Sequence, residues 1–155
     1  MQKLGLVIFL SVIAFASCKK DDNRDCSPVT IAAPSSEVET LRAYLTSNSI
    51  TATEDSRGFF YTINTAGNTK PTVCNTVTVN YVGKLTNGTQ FDAASNATFA
   101  LSRLVVGWQE GIPLIGTGGS ITLYLPPSLG YGSVDYGDIP ANSILIFNID
   151  LGAVK

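Results

Sequence analysis

The chain has 155 residues, enough for one domain and a leader, and its 45% hydrophobic and 14% charged content excludes a disordered tail. Its formal net charge of −2 and pI near 4.9 offer no basic surface, so nucleic acid is not an expected partner. Zero histidines remove imidazole acid/base catalysis, His-activated nucleophiles and imidazole metal ligation, and three cysteines without a C-x-x-C pair argue against zinc.

In chain order, residues 1–17 read as a lipoprotein signal peptide. Lys3 precedes an apolar run from Leu4 to Ala16. The run is shorter than the roughly 20 residues of a membrane-spanning helix and matches a signal-peptide core of about 7 to 15. Ala16 and Ser17 before Cys18 resemble a bacterial lipobox, which implies cleavage before Cys18 and lipidation of its thiol, although Phe15 stands where an aliphatic residue is usual. Lys19-Lys20-Asp21-Asp22 resembles a surface-export signal of some Bacteroidetes lipoproteins; the plainer reading is a solvated spacer. The expected location is the cell envelope, lipid-anchored to the outer membrane on its periplasmic face or at the cell surface. Residues 18–35 then form a polar linker with Pro28 and Pro34. With Cys18 lipidated, Cys26 and Cys74 remain as a pair in an oxidising compartment, where a disulfide is expected over two free thiols.

Residues 36–70 read as a small helix and strand extension. Ser36-Glu37-Val38-Glu39 fits a capping box, and Val38, Leu41, Tyr44 and Leu45 recur at helical spacing, which predicts about three turns ending at Asn48 and Ser49. Ile50 to Thr53 and Phe59 to Ile63 read as strands, the second with Phe59, Tyr61 and Ile63 on one face. So short a segment cannot bury its own apolar side and must pack on the larger domain C-terminal to it.

From Thr76 the alternation of Val77, Val79 and Tyr81 predicts a strand, Asn87-Gly88 a hairpin turn, and Phe91-Asp92 the return strand. Leu104-Val105-Val106 leads into Gly107-Trp108-Gln109-Glu110-Gly111, a short helix that Pro113 limits to about two turns. Trp108, the sole tryptophan, can plug a core or floor a pocket. Gly116-Thr117-Gly118-Gly119 lacks the Lys-Ser/Thr of a P-loop and reads as a turn. Ile121 to Leu125 is a strand stopped by Pro126-Pro127, Leu129-Gly130-Tyr131-Gly132 a loop, and Ile144 to Leu151 a last strand with Leu145, Phe147, Ile149 and Leu151 on one side. The class is α+β.

Val77-Thr78-Val79-Asn80-Tyr81, Asn87-Gly88, Phe91-Asp92, Val105-Val106-Gly107-Trp108, Leu129-Gly130-Tyr131-Gly132 and Ile139-Pro140-Ala141-Asn142 follow the order and rough spacing of FKBP-type peptidyl-prolyl cis/trans isomerases. Residues 71–155 resemble that domain, and the whole chain resembles the lipid-anchored members of the Bacteroidetes. The resemblance implies a twisted antiparallel sheet half-wrapped around one short helix, with an apolar pocket for a prolyl ring. It makes Trp108 the pocket floor, and Tyr81, Phe91, Phe99, Leu104, Val105, Ile139 and Phe147 its walls. Asp92 becomes a buried carboxylate near the twisting bond, Tyr131 a hydroxyl donor to a substrate carbonyl, and the Val105 N–H a further donor.

The implied substrates are proline-containing unfolded or exported polypeptides, with macrolide-type inhibitors as further ligands and no metal or cofactor. A chaperone or binding lipoprotein that uses the fold without turnover is the alternative. Three departures bear on rate and preference. Asn80 replaces a common histidine. The short loop between Phe91 and Phe99 puts Ala97 at an aromatic position and leaves Asp92 without an arginine partner. Ser133 to Asp138 forms its own flap, with Val134 and Tyr136.

Overall fold

A computed structural model describes residues 26–155; the expected signal peptide, its cleavage site and the lipidation site Cys18 lie outside the described residues. Helix α1 (Ser35–Ser47) comes first, followed by the two-residue strand β1 (Thr53–Glu54) and β2 (Phe60–Thr65). Strands β3 (Thr76–Leu85) and β4 (Gln90–Ala100) form a hairpin, helix α2 (Val106–Gly111) comes next, and β5 (Ser120–Leu125) and β6 (Leu145–Val154) complete the elements that build the sheet. All pairings are antiparallel, in the order β1-β2-β5-β6-β3-β4.

The expected alternation on β6 holds: Leu145, Phe147, Ile149 and Leu151 are buried on one face, with Asn148 and Asp150 exposed between them. That face, with Val77, Val79, Leu123 and Leu125, packs against α2 and forms the main core. Gly107 and Gly111, one turn apart on α2, face Leu125 and Leu123; a Cβ at either would stand 2.4 and 2.6 Å from those leucines. The helix can therefore lie directly on β5, and Trp108 is set into the core face.

The opposite face is covered by α1. Val38, Leu41 and Leu45 pack there on Phe60 and Tyr124. This corrects the reading of β2: Phe59 is fully buried in the main core, Phe60 is buried at 5% exposure under α1, and Ile63 is 41% exposed. The stretch has apolar demands on both sides, so a one-faced pattern does not describe it. The first strand shrinks as well. Pairing occupies only Thr53–Glu54, because Ile50 and Ala52 are spent packing against the α1 cluster.

The capping box is not formed. The helix starts at Ser35 behind Pro34, without a side-chain cap, and Glu37 instead accepts the N–H of Ser128 at 2.9 Å. There is no loop between Phe91 and Phe99: β4 runs through to Ala100, paired along its length with β3 across an irregularity between Val79 and Tyr81. At that irregularity Asn96 adopts φ 53° and its N–H donates to Asn80 Oδ1 at 2.8 Å. A short amide at position 80 thus supplies an acceptor at the bulge. Cys26 and Cys74 are joined by a disulfide that ties the start of the described chain to the β3 approach.

Gly107→Val is expected to lower the unfolding free energy by about 1–3 kcal/mol through overpacking against Leu125. Urea denaturation measures it, and parent-like stability would show that α2 does not lie this close to β5.

Candidate active site

Trp108 is 4% exposed and meets three rings edge-on: Tyr81 at 5.1 Å, Phe147 at 5.2 Å and Phe99 at 6.4 Å between centroids, with interplanar angles of 85°, 89° and 85°. Edge-to-face contact sets the positive rim of one ring against the negative face of another, which holds them apart at fixed angles and keeps them from stacking flat. The rings bound a cavity of about 150 Å³. Since a water takes about 30 Å³ of liquid, the space suits one small ring. Its other lining residues are Leu104 and Val105 from the approach to α2, Asp92 from β4 and Tyr131 from the loop after β5. A wider depression of about 510 Å³ beside α1 has no aromatic lining, so size alone does not mark the site.

Eight of the ten side chains singled out from the sequence thus meet around one space. Phe91 and Ile139 do not line it. Phe91 stands edge-on to Phe147 at 5.5 Å, behind the wall, where Gly83 leaves room for its ring. Ile139 is buried at 5% exposure within the core. Asp92 is also corrected: it is exposed, not buried. It nevertheless has a partner, since the Tyr81 hydroxyl donates to Asp92 Oδ2 at 2.6 Å. A phenol occupies the role that an arginine was expected to leave empty.

Burial, the hydrogen bond to Asp92 and the Asp92 charge push the Tyr81 phenol well above its usual range. Burial, then the neighbouring Tyr136 and Asp92, raises that of Tyr131. Both are therefore protonated donors at neutral pH. Among the described residues the Tyr131 hydroxyl has no hydrogen-bond partner, and its ring stacks on Tyr136 at 4.5 Å and 11°. That stack escaped the sequence reading because the flap closes through reciprocal hydrogen bonds between Tyr136 and Ile139, which no local pattern announces.

The turn into α2 is fixed by its carbonyls. Val105 O accepts the N–H groups of Trp108 and Gln109, and Gln109 Nε2 donates to Leu104 O at 2.7 Å. The Val105 N–H stands outside this set. Two buried groups on α2 lack hydrogen-bond partners among the described residues: the Trp108 indole N–H and the Glu110 carboxylate. Glu110 Oε2 lies 3.2 Å from Arg57 Nε, at ion-pair distance without hydrogen-bond alignment. Burial pushes the Glu110 carboxyl up while Arg57 pulls it down. Among the described residues no cluster of side chains suits a metal ion.

Residues 67–152 match the model of the FKBP-type peptidyl-prolyl cis-trans isomerases, more than half of the chain. The chain belongs to this family. Its FKBP-type domain is 49% identical over 83 residues to the isomerase FkpA of Buchnera aphidicola from Schizaphis graminum, covering 51% of this chain and 33% of that protein. It is 38% identical over 125 residues to the isomerase Mip of Coxiella burnetii, covering 76% and 54%. The crystal structure of FkpA from Escherichia coli superposes with a TM-score of 0.71 at 33% identity, covering 78% of this chain and 60% of that one. A peptidyl-prolyl cis-trans isomerase from Pseudomonas syringae superposes at 0.69 with 29% identity, covering 82% and 99%. The chain spans between a third and about half of the length of these two curated relatives. The sheet with its short helix is the FKBP-like fold.

The two site phenols yield a prediction with a definite sign. Their folded-state values lie above the ordinary 10.0, so at higher pH the unfolded chain loses protons that the folded chain keeps. Stability contributed by the neutral phenols is complete below pH 10.0 and falls as pH rises beyond it. Unfolding measured from pH 7 upward should show this decline, and Tyr81→Phe should weaken it. An equal decline in the variant would contradict the assignment to Tyr81.

Proposed function

We propose that this protein catalyses cis/trans isomerisation of X-Pro peptide bonds in exported polypeptides. The observation that carries the reading is the small aromatic cavity over Trp108, lined also by Val105 and by Tyr131, whose hydroxyl has no hydrogen-bond partner among the described residues, in a chain of the isomerase family. Rotation about the C–N bond is opposed by about 18–20 kcal/mol of amide resonance, and uncatalysed X-Pro exchange takes tens to hundreds of seconds. No bond is broken, so neither a base nor a metal is required.

At the twisted transition state the amide has lost resonance and its carbonyl is less polar, so an apolar site penalises it less than the planar ground state. The rings around Trp108 seat the pyrrolidine and exclude water. Tyr131 and the Val105 N–H hold a carbonyl on one side of the bond while the other side turns. Preferential binding of the twisted form is the catalysis, and about 4 kcal/mol of it gives a thousandfold acceleration. The Tyr81–Asp92 hydrogen bond fixes two lining residues relative to one another, which limits reorganisation during the turn.

The same reading extends to place and partners. The apolar run before Ala16-Ser17-Cys18 supports export with lipid attachment at Cys18, as in the lipid-anchored Bacteroidetes proteins that the chain resembles. The Cys26–Cys74 disulfide is in keeping with an oxidising envelope compartment. The clients are then unfolded chains in the envelope, met by a domain tethered to the outer membrane. Macrolide-type ligands with a proline-like ring are expected to compete for the cavity.

Proline-limited refolding of a test protein checks the function. The full chain at substoichiometric amounts should accelerate the slow phase. Trp108→Leu should lose on the order of 10-fold or more, and Tyr131→Phe roughly two- to fivefold, the worth of about one hydrogen bond. A chain that only suppresses aggregation, or variants that match the parent, would refute the assigned site.

A further inference from the structure

Two polar contacts from residues that precede the family-matched segment 67–152 reach Ser128 and Glu110, close in the chain to the cavity residues Tyr131 and Trp108. The first runs from α1. Glu37 Oε2 accepts the Ser128 N–H at 2.9 Å, in the single turn of 3-10 helix Pro127–Leu129. Pro127 O in that turn accepts the N–H groups of Gly130 and Gly132 at 2.9 and 2.8 Å, the two residues flanking Tyr131. A carboxylate on one face of the sheet therefore holds the turn from which the Tyr131 loop hangs.

The second contact runs from the β1–β2 connection to α2. Arg57 is itself held: Asp55 accepts its backbone N–H at 2.9 Å and its Nε at 2.8 Å, and its carbonyl accepts the Ala33 N–H at 2.8 Å. Gly58 makes the turn there, with φ +93° and no room for a Cβ beneath Val38. The guanidinium so placed is 3.2 Å from Glu110, whose side chain is 3% exposed and which lies two residues beyond Trp108. A buried carboxylate needs a compensating charge, and Arg57 supplies it from outside the helix.

We propose that the extension before the family core is a positioning element of the site, with Glu37 holding the Tyr131 loop and Arg57 holding the Trp108 helix. This rests on the isomerase reading. Neither residue lines the cavity, so neither is catalytic. Glu37 acts through the turn that precedes Tyr131, and Arg57 through the helix that carries Trp108. Misplacement of a reacting group by about 1 Å can cost on the order of a hundredfold in rate, so small losses of hold are visible in turnover.

The test uses the full chain and a short X-Pro peptide. Glu37→Ala should raise KM about three- to tenfold with kcat within about twofold, and Glu37→Gln, which keeps a carbonyl acceptor, should restore KM. Arg57→Met should lower kcat/KM on the order of tenfold and shift the emission of Trp108 to the red. Arg42→Ala, which breaks an exposed pair with Glu54 on the same extension, should change neither. If Arg57→Met fails to fold because Glu110 is left unpaired, the Glu37 pair decides alone. Equal KM in parent and Glu37→Ala, or no recovery in Glu37→Gln, overturns the proposal. If the parent binds the peptide without turning it over, the isomerase reading fails, and the Kd read from Trp108 emission decides the positioning claim. A rise in Glu37→Ala that is reversed in Glu37→Gln upholds it, and equal Kd values overturn it. A parent that neither turns over nor binds the peptide overturns both.

Discussion

The close seating of α2 on β5 is the constraint from which the site arises. Two glycines one turn apart let Leu123 and Leu125 rise to the helix backbone, and Trp108 between them is carried into the core face. There the indole meets Tyr81, Phe99 and Phe147 edge-on, and rings set at right angles cannot close flat on one another. The cavity is thus what remains when four large rings are packed at fixed angles. A larger side chain at either glycine would lift the helix and change every one of those angles.

The sheet does two jobs through its two faces. The face toward α2 carries the main core, and the other is covered by α1, with Phe60 and Tyr124 as the contact. Phe59 and Phe60, adjacent in the chain at the start of β2, are buried in the two different clusters and join both layers. The amino-terminal extension is therefore built into the same sheet as the family core. Its polar contacts to Ser128 and Glu110 end on the turn that precedes Tyr131 and on the helix that bears Trp108.

Where the sequence alternates, it was legible. Leu145, Phe147, Ile149 and Leu151 read as one face of a strand and lie on one face, and Val77 and Val79 do the same. The start of β4 at Phe91-Asp92 was legible after the Asn87-Gly88 turn, but its continuation was hidden because Ala93, Ala94, Ser95, Asn96 and Ala97 offer no alternation; pairing with β3 and a bulge held by Asn80 make it a strand. Glu37 fitted a local cap but serves a turn ninety-one residues away, a contact that no window of sequence contains. Of the cavity, the aromatic members were readable from the family motifs. The bond between Tyr81 and Asp92, and the stack of Tyr131 on Tyr136, are products of tertiary closure.

The central physical claim is that a dry hollow of aromatic rings prefers the twisted imide to its planar forms. Exchange NMR on a short X-Pro peptide in large excess over the full chain measures that most directly, because it observes cis and trans proline signals interconverting at equilibrium. Cross-peaks between the two isomers at mixing times of about a second or less, against tens to hundreds of seconds for the peptide alone, are expected. Peptide that binds, with its signals broadened by the protein, yet shows no exchange beyond the uncatalysed rate would contradict the claim.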